Sequence, residues 1–170
     1  MPPGARPILV DTNVILEGYR TGSWRALVGR FRVETVTDCV TETQTGAQKR
    51  RPEQRIDPAE LRLAAVHDVT DTERAVALTR DDLVRFLDPG EQALWAHALG
   101  RDDTWLLCGP DKASLRLGVR LGFRDRMVAF EALLDDAGHR PRVPLRLNYT
   151  RAWLATCLAE LAQQEGKGPA

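Results

Sequence analysis

Four short apolar runs along the chain have the length and flanking residues expected of buried strands. Residues 7–10 form the first run and residues 104–108 the last. Between them, residues 32–37 alternate and are rich in β-branched side chains, and residues 64–69 form a third run. Apolar or alternating runs of this length, bounded by polar or turn residues, are typical of strands. We therefore predict four strands.

The segments between these runs have helical patterns. Helices are predicted over residues 14–30 with a break at 21–23, from about 38 toward 48, from 71 or 72 to 86, over 88–99, after 111, over 125–137, and near the C-terminus. Alternation of strands and helices predicts an α/β protein, a three-layer α/β/α sandwich around a central, mostly parallel sheet. We assign residues 1–145 to the main domain and residues 146–170 to a C-terminal helical extension of it.

The composition narrows the class of protein. With 170 residues, of which 43% are hydrophobic, the chain has enough apolar side chains for the core of one domain. No apolar run approaches the roughly 18 residues of a membrane span, and the first run is too short for a secretory signal. The three cysteines are far apart without a C-x-x-C pair. We expect a cytoplasmic protein with reduced thiols, no membrane association and no structural zinc.

Four carboxylates occur close to the predicted strands. Asp11 directly follows the first strand, Glu42 lies on the helix after the second, Glu91 lies near the start of the helix before the last strand, and Asp111 follows the last strand. Ligands of open parallel sheets bind beyond the carboxyl ends of the strands. Oxygen ligands gathered without His or Cys suit Mg²⁺ or Mn²⁺. One or two such ions would activate a water and stabilise the charge that develops on a phosphodiester.

Structural roles are open alternatives for three of these carboxylates. Residues 88–91 form a favourable helix start, with Asp at the N-cap, Pro next, and Glu91 at the capping-box position. Asp111 follows Gly-Pro and suits an N-cap, and Glu42 by itself is typical of a solvated helix face. Asp11 is the exception, because a carboxylate placed directly after an apolar strand is costly to bury without partners.

Five motifs together resemble the PIN domain family. They are ILVDTN at residues 8–13, VTDCVTE at 36–42, LDPGEQA at 87–93, LLCGPDKA at 106–113 and GVRLGF at 118–123. The resemblance covers most of residues 7–125. It implies a Rossmann-like α/β/α sandwich and metal-dependent cleavage of RNA, often by the toxin of a toxin–antitoxin pair.

The resemblance also implies roles for individual residues. The catalytic carboxylates would be Asp11, Glu42, Glu91 and Asp111, with Asp11, Glu91 and Asp111 on the metal and Thr12 and Asn13 shaping the site by hydrogen bonds. The chain departs from the family at residues 108–111. Many relatives have Asp-Asp or Asn-Asp there, whereas Cys-Gly-Pro-Asp has one carboxylate, which weakens the expectation of a second metal.

Basic residues near the predicted site are candidates for RNA contacts. Lys49, Arg50 and Arg51 lie in a polar loop, and Lys112 and Arg116 are one helical turn apart beside Asp111. Such side chains would bind phosphates without reading the base sequence. The alternative for the loop is a solvated surface. The histidines (His67, His97 and His139) are scattered without the spacing of metal ligands, so we expect no metal site from them.

Other functions remain as alternatives or are excluded by missing motifs. The chain has no G-x-S-x-G and no P-loop motif, which disfavours a serine hydrolase and excludes a P-loop NTPase. The main alternative is a PIN-like module that binds RNA or a protein without cleaving. A receiver-like domain, phosphorylated on Asp11, is a weaker one. The apolar faces of the C-terminal helix and of the helices near residues 14–30 are expected to bind an antitoxin or a second copy of the chain.

Overall fold

Strand β1 is the centre of the sheet, and its sequence shows why. All three of its residues are apolar and buried, as expected of a strand covered on both faces. Within residues 5–45 and 56–166, the sheet has four parallel strands in the order β3-β2-β1-β4. The strands are β1 (Ile8–Val10), β2 (Val33–Val36), β3 (Ala65–His67) and β4 (Leu106–Cys108). The predicted strands and their parallel arrangement are confirmed.

The computed structural model describes residues 5–45 and 56–166. Helices flank the sheet, consistent with the predicted three layers. They are α1 (Thr12–Arg20), α2 (Trp24–Arg30), α3 (Thr37–Thr45), α4 (Pro58–Leu61), α5 (Asp71–Arg80), α6 (Pro89–Leu99), α7 (Lys112–Arg120), α8 (Phe130–Asp136) and α9 (Arg151–Gln164). None of the helices found in these two ranges combines the length and apolar content needed to cross a bilayer.

Two predicted helices are shorter than expected. The helix predicted to reach residue 86 ends at Arg80, because the backbone of Asp81 is extended. The Asp81 side chain accepts a hydrogen bond from the Leu83 amide, and a separate 3₁₀ helix begins there. The helix predicted from residue 125 begins only at Phe130. Residues just before it run beside β4, where the Val128 amide donates to the Leu107 carbonyl at 3.0 Å.

Aromatic side chains join α6, α7 and the start of β4 in the core. Trp95 meets Trp105 edge-on at 5.8 Å between ring centroids, and Phe123 lies against both rings. The buried indole N–H of Trp95 donates to Ser114 Oγ at 2.8 Å, which satisfies its one donor. This packing holds the N-terminal half of α7 against α6.

The C-terminal part of the chain is tied to α1. The Arg142 amide donates to the Thr21 carbonyl, the Arg146 amide to the Glu17 carboxylate, and the Tyr149 hydroxyl to the Asn13 carbonyl. The leucines of α9 are buried, since α9 packs on α7, and α1 and α2 bury apolar residues as well; Trp153, Leu16 and Val28 are partly buried. The apolar residues that this packing covers include Leu154, Leu158, Leu161, Val14, Ile15 and Leu27, and binding of an antitoxin or a second copy by these helices stays a prediction.

Glu17 gives a test of this attachment. Its buried carboxylate accepts bonds from the Arg20 guanidinium at 2.6 and 2.8 Å and from the Arg146 amide at 3.0 Å. Glu17→Ala leaves both donors without their acceptor, so we expect a loss of about 3 kcal/mol in the free energy of unfolding. Urea denaturation measures it. The matched control is Glu60→Ala, which breaks the exposed pair with Arg25 and should cost much less, because solvent screens exposed pairs. Equal costs for the two variants would contradict the assignment.

Candidate functional site

The order of the strands creates a crevice between β1 and β4. From β1 the chain proceeds to β2 and β3 on one side, and it returns to β4 on the other. Neighbouring strands whose connections leave in opposite directions open a crevice at their carboxyl ends, which is where open α/β sheets bind ligands. Asp11 directly follows β1, and Asp111 comes three residues after the end of β4.

Asp11 is a buried carboxylate at the N-terminus of α1. Only 3% of its surface is exposed, and its Oδ1 accepts a bond from the Val14 amide at 2.8 Å. Burial first, and then the nearby carboxylates of Asp111 and Glu42, together raise the pKa of Asp11 to about 7, against the opposing effect of the Val14 amide. The side chain therefore caps a helix and also belongs to an acidic group.

Asp111 also has two roles, because it caps α7 and belongs to the acidic group. Its Oδ1 accepts bonds from the amides of Ala113 and Ser114 at 2.8 and 3.0 Å, so the predicted N-cap is confirmed. No hydrogen bond to its Oδ2 occurs within the described residues. Capping thus occupies one oxygen and leaves the other available.

Glu91 lies in the first turn of α6 and is also buried. The predicted reciprocal capping box does not form, because the Asp88 side chain makes no cap bond, while the Glu91 carboxyl accepts from the Asp88 amide. Burial first, and then the charges of Asp111, Asp11 and Asp88, together raise the pKa of Glu91 to about 8. Glu91 is therefore part of the same acidic group as Asp11 and Asp111.

Glu42 joins three helices through hydrogen bonds to both of its oxygens. Thr12 Oγ1 donates to its Oε2 at 2.5 Å, and the Gly90 amide donates to its Oε1 at 2.8 Å. A Cβ at Gly90 would lie 2.5 Å from Glu42 Oε2, so a larger residue here would displace the Glu42 carboxylate from these hydrogen bonds. Thr12 thus contacts the site by its side chain, whereas Asn13 contributes a carbonyl that accepts from Tyr149 and has an exposed side chain.

The Cys-Gly-Pro-Asp segment at residues 108–111 lies close to Asp11. A Cβ at Gly109 would lie 2.9 Å from Asp11 Oδ2. The backbone after β4 therefore passes directly against the Asp11 carboxylate. Glycine at this position allows the ends of β1 and β4 to remain this close.

The basic residues predicted to contact RNA differ in their surroundings. Lys112 is exposed at the start of α7, directly after Asp111. Arg116 donates to Gln164 at 2.6 Å and lies 3.5 Å from the Glu165 carboxylate, so its guanidinium is engaged with α9. Lys49, Arg50 and Arg51 lie outside the described residues.

A second cluster, which the sequence analysis missed, lies toward the β3 edge of the sheet. Among the described residues, one carboxylate oxygen of Glu34 and one ring nitrogen each of His67 and His97 lie within 4.8 Å of one another, and this buried Glu/His/His group could hold a metal ion. His67 and His97 are far apart in the sequence and lack the spacing of metal ligands, but the fold brings them together because β3 and α6 both lie beside β2. The available signal was Glu34 itself, a carboxylate inside a buried strand, which is costly without partners.

Comparisons with family models, with curated proteins and with solved structures gave no match to this chain.

The raised pKa of Asp11 predicts how stability depends on pH. Because the folded state binds the Asp11 proton more tightly than the unfolded chain, the free energy of unfolding should fall as pH rises from about 4 through about 7. The fall attributable to Asp11 is at most about 4 kcal/mol. We expect Asp11→Asn, measured by urea denaturation with a chelator at about pH 5.5 and about pH 8, to flatten this dependence and to be the more stable form at the higher pH.

The exposed Asp82 provides the control for that measurement. Asp82→Asn should keep the pH dependence of the unmodified chain. A dependence equally steep in Asp11→Asn would show that the Asp11 carboxyl ionises without cost, and would contradict its assignment to a buried acidic group.

Proposed function

We propose that this chain is a Mg²⁺- or Mn²⁺-dependent endoribonuclease with a PIN-like, Rossmann-like fold. The observation that carries the proposal is the gathering of Asp11, Glu91 and Asp111 at the crevice between β1 and β4. Three separate elements supply these side chains: the end of β1, the first turn of α6 and the N-terminus of α7. This is the ligand-binding position of an open parallel sheet.

The electrostatics of the site favour a bound cation. Asp11 and Glu91 both have pKa values near or above neutrality, chiefly through burial and then through mutual repulsion with Asp111. A divalent cation would relieve this repulsion and allow the carboxylates to ionise. The donor set consists of carboxylate oxygens, the ligands that Mg²⁺ and Mn²⁺ prefer. The type of donor therefore suits the metal that the resemblance implies. Among the described residues, the group whose ligand atoms all lie within 4.8 Å of one another is Glu34, His67 and His97, so the acidic side chains would have to move closer together around an ion.

Each residue has a distinct part in the proposed site. Asp11, Glu91 and Asp111 would hold the ion, and the ion when bound would supply an activated water and stabilise charge on the phosphodiester. Glu42 is a positioning residue in this arrangement, because Thr12 and Gly90 already bind both of its oxygens. The capping bonds to Val14, Ala113 and Ser114 hold one oxygen each of Asp11 and Asp111, so that the other oxygens keep a fixed direction.

RNA as the substrate rests on the PIN resemblance together with the basic residues beside the site. Lys112 is exposed one residue after Asp111, in position to contact a phosphate next to the bound ion. Arg116 would have to leave Gln164 to do the same. An antitoxin partner and a homodimer stay predictions from the resemblance and from sequence, respectively.

A second candidate function is a PIN-like module that binds RNA without cleaving it. Two observations favour it: the single carboxylate of the Cys-Gly-Pro-Asp segment, and the engagement of both Glu42 oxygens with protein donors. Both reduce the number of free ligands for a second metal.

Cleavage of RNA by the purified chain tests the proposal. A labelled single-stranded RNA and a tRNA pool are incubated with Mn²⁺, with Mg²⁺ and with a chelator. We expect metal-dependent cleavage, reduced at least about 100-fold in Asp11→Asn, because the variant keeps the capping acceptor and removes the charge. Asp82→Asn is the matched control and should cleave at the rate of the unmodified chain.

The other outcomes separate the alternatives. RNA binding without cleavage under any metal would favour the non-cleaving module. Cleavage that persists in Asp11→Asn would contradict the assigned site.

A further inference from the structure

The cluster around Glu34 has the ligand types and the convergence of a metal site of its own. Glu34 lies on β2, His67 ends β3, and His97 lies in the last turn of α6. Glu34 Oε2 is 2.9 Å from His67 Nε2 and 3.7 Å from His97 Nε2. We propose that Glu34, His67 and His97 form a transition-metal site, with Zn²⁺ as the ion, separate from the acidic site.

The separations between these atoms fit a zinc ion. Zinc bonds of about 2.05 Å in a tetrahedron place neighbouring ligand atoms about 3.3 Å apart. The two separations from Glu34 Oε2, 2.9 and 3.7 Å, lie on either side of that value. Two imidazoles and one carboxylate leave a fourth position for water, as in three-ligand zinc sites. Imidazole ligands also favour zinc over Mg²⁺, so the two sites would take different ions.

The surroundings orient the three ligands. Arg32 Nε lies 2.8 Å from Glu34 Oε1, so the second carboxylate oxygen has its own partner and Oε2 remains directed at the histidines. The His67 and His97 rings stack at 4.4 Å with an angle of 21° between their planes. Partners of this kind, outside the ligands themselves, fix the orientation of metal-binding side chains.

Arg101 is the cation that an incoming metal would replace. Its Nη1 lies 2.6 Å from Glu34 Oε2 and 2.9 Å from His97 Nε2. A guanidinium only donates hydrogen bonds, so this contact directs the lone pair of His97 Nε2 toward the position of Arg101 Nη1. A metal ion at that position would use the same lone pair.

Arg101 has a second anchor that makes the exchange feasible. Its Nε and Nη2 donate to the two oxygens of Asp103, both at 2.7 Å. On leaving Glu34, the guanidinium would keep this bidentate pair and would not become an unpaired charge. Arg101 and the metal therefore compete for one position, and removal of Arg101 should strengthen metal binding.

The site also has an entry path and a consequence for the fold. The His67 side chain is 37% exposed, whereas that of Glu34 is buried, so an ion would enter from the β3 edge. Bound there, it would link the three-residue edge strand β3 to β2 and α6. Binding to the folded state alone should therefore raise the melting temperature.

Titration of the full chain with Co²⁺, followed by displacement with Zn²⁺, tests the proposal. We expect visible absorption bands of four-coordinate Co²⁺ that one equivalent of Zn²⁺ removes. His97→Gln and His67→Gln should each weaken binding more than about 10-fold, and Arg101→Gln should tighten it. Zn²⁺ should raise the melting temperature of the unmodified chain and leave that of His97→Gln unchanged.

Control variants make the result specific. His139→Gln and Asp11→Asn should show the same four-coordinate Co²⁺ bands as the unmodified chain, the second because those bands report the Glu34 cluster and not the acidic site, so failure here and failure of the proposed nuclease are distinguishable. Thermal unfolding of each variant identifies any that does not fold, and the partly exposed His67 provides the milder change. Absence of the four-coordinate Co²⁺ bands, bands that survive in His97→Gln, or weaker bands in Arg101→Gln at the same Co²⁺ concentration would each overturn the proposal.

Discussion

The burial of the Asp11 carboxylate at the end of β1 is the constraint on which the rest of the structure depends. A buried carboxylate needs hydrogen-bond donors and nearby positive charge. Here it has a donor, but its charged neighbours are negative. The Val14 amide satisfies one oxygen, while Asp111 and Glu42 bring further negative charge. The helix N-termini at Asp11, Glu91 and Asp111 favour negative charge through their dipoles. They do not restore an ordinary pKa at Asp11 or Glu91.

Close backbone contacts follow from the same constraint. Gly109 lets the segment after β4 pass against Asp11, and Gly90 lets the start of α6 approach Glu42. The Thr12 hydroxyl then joins α1 to α3 through Glu42. The acidic group is thus built into the junctions between strands and helices, and the same bonds that cap the helices position the carboxylates.

The features that were predicted from the sequence are those that depend on residues close together along the chain. Apolar runs identify β1 and β4, and the position of Asp11 directly after a buried strand identifies it as a functional candidate. The Glu34 cluster was missed because it depends on strand register. Glu34 pairs with Ala65, so His67 two residues later lies on the same face, and α6 then adds His97. The end of α5 at Arg80 was missed because it depends on a single hydrogen bond, in which the Asp81 carboxylate accepts from the Leu83 amide.

Binding of Mn²⁺, followed by electron paramagnetic resonance, tests most directly the claim that the carboxylates gather to hold a cation. The account predicts saturable binding by the unmodified chain that is lost or strongly weakened in Asp11→Asn and in Asp111→Asn, and is retained in His97→Gln. Mn²⁺ binding that is absent, or that both aspartate substitutions leave unchanged, would contradict it.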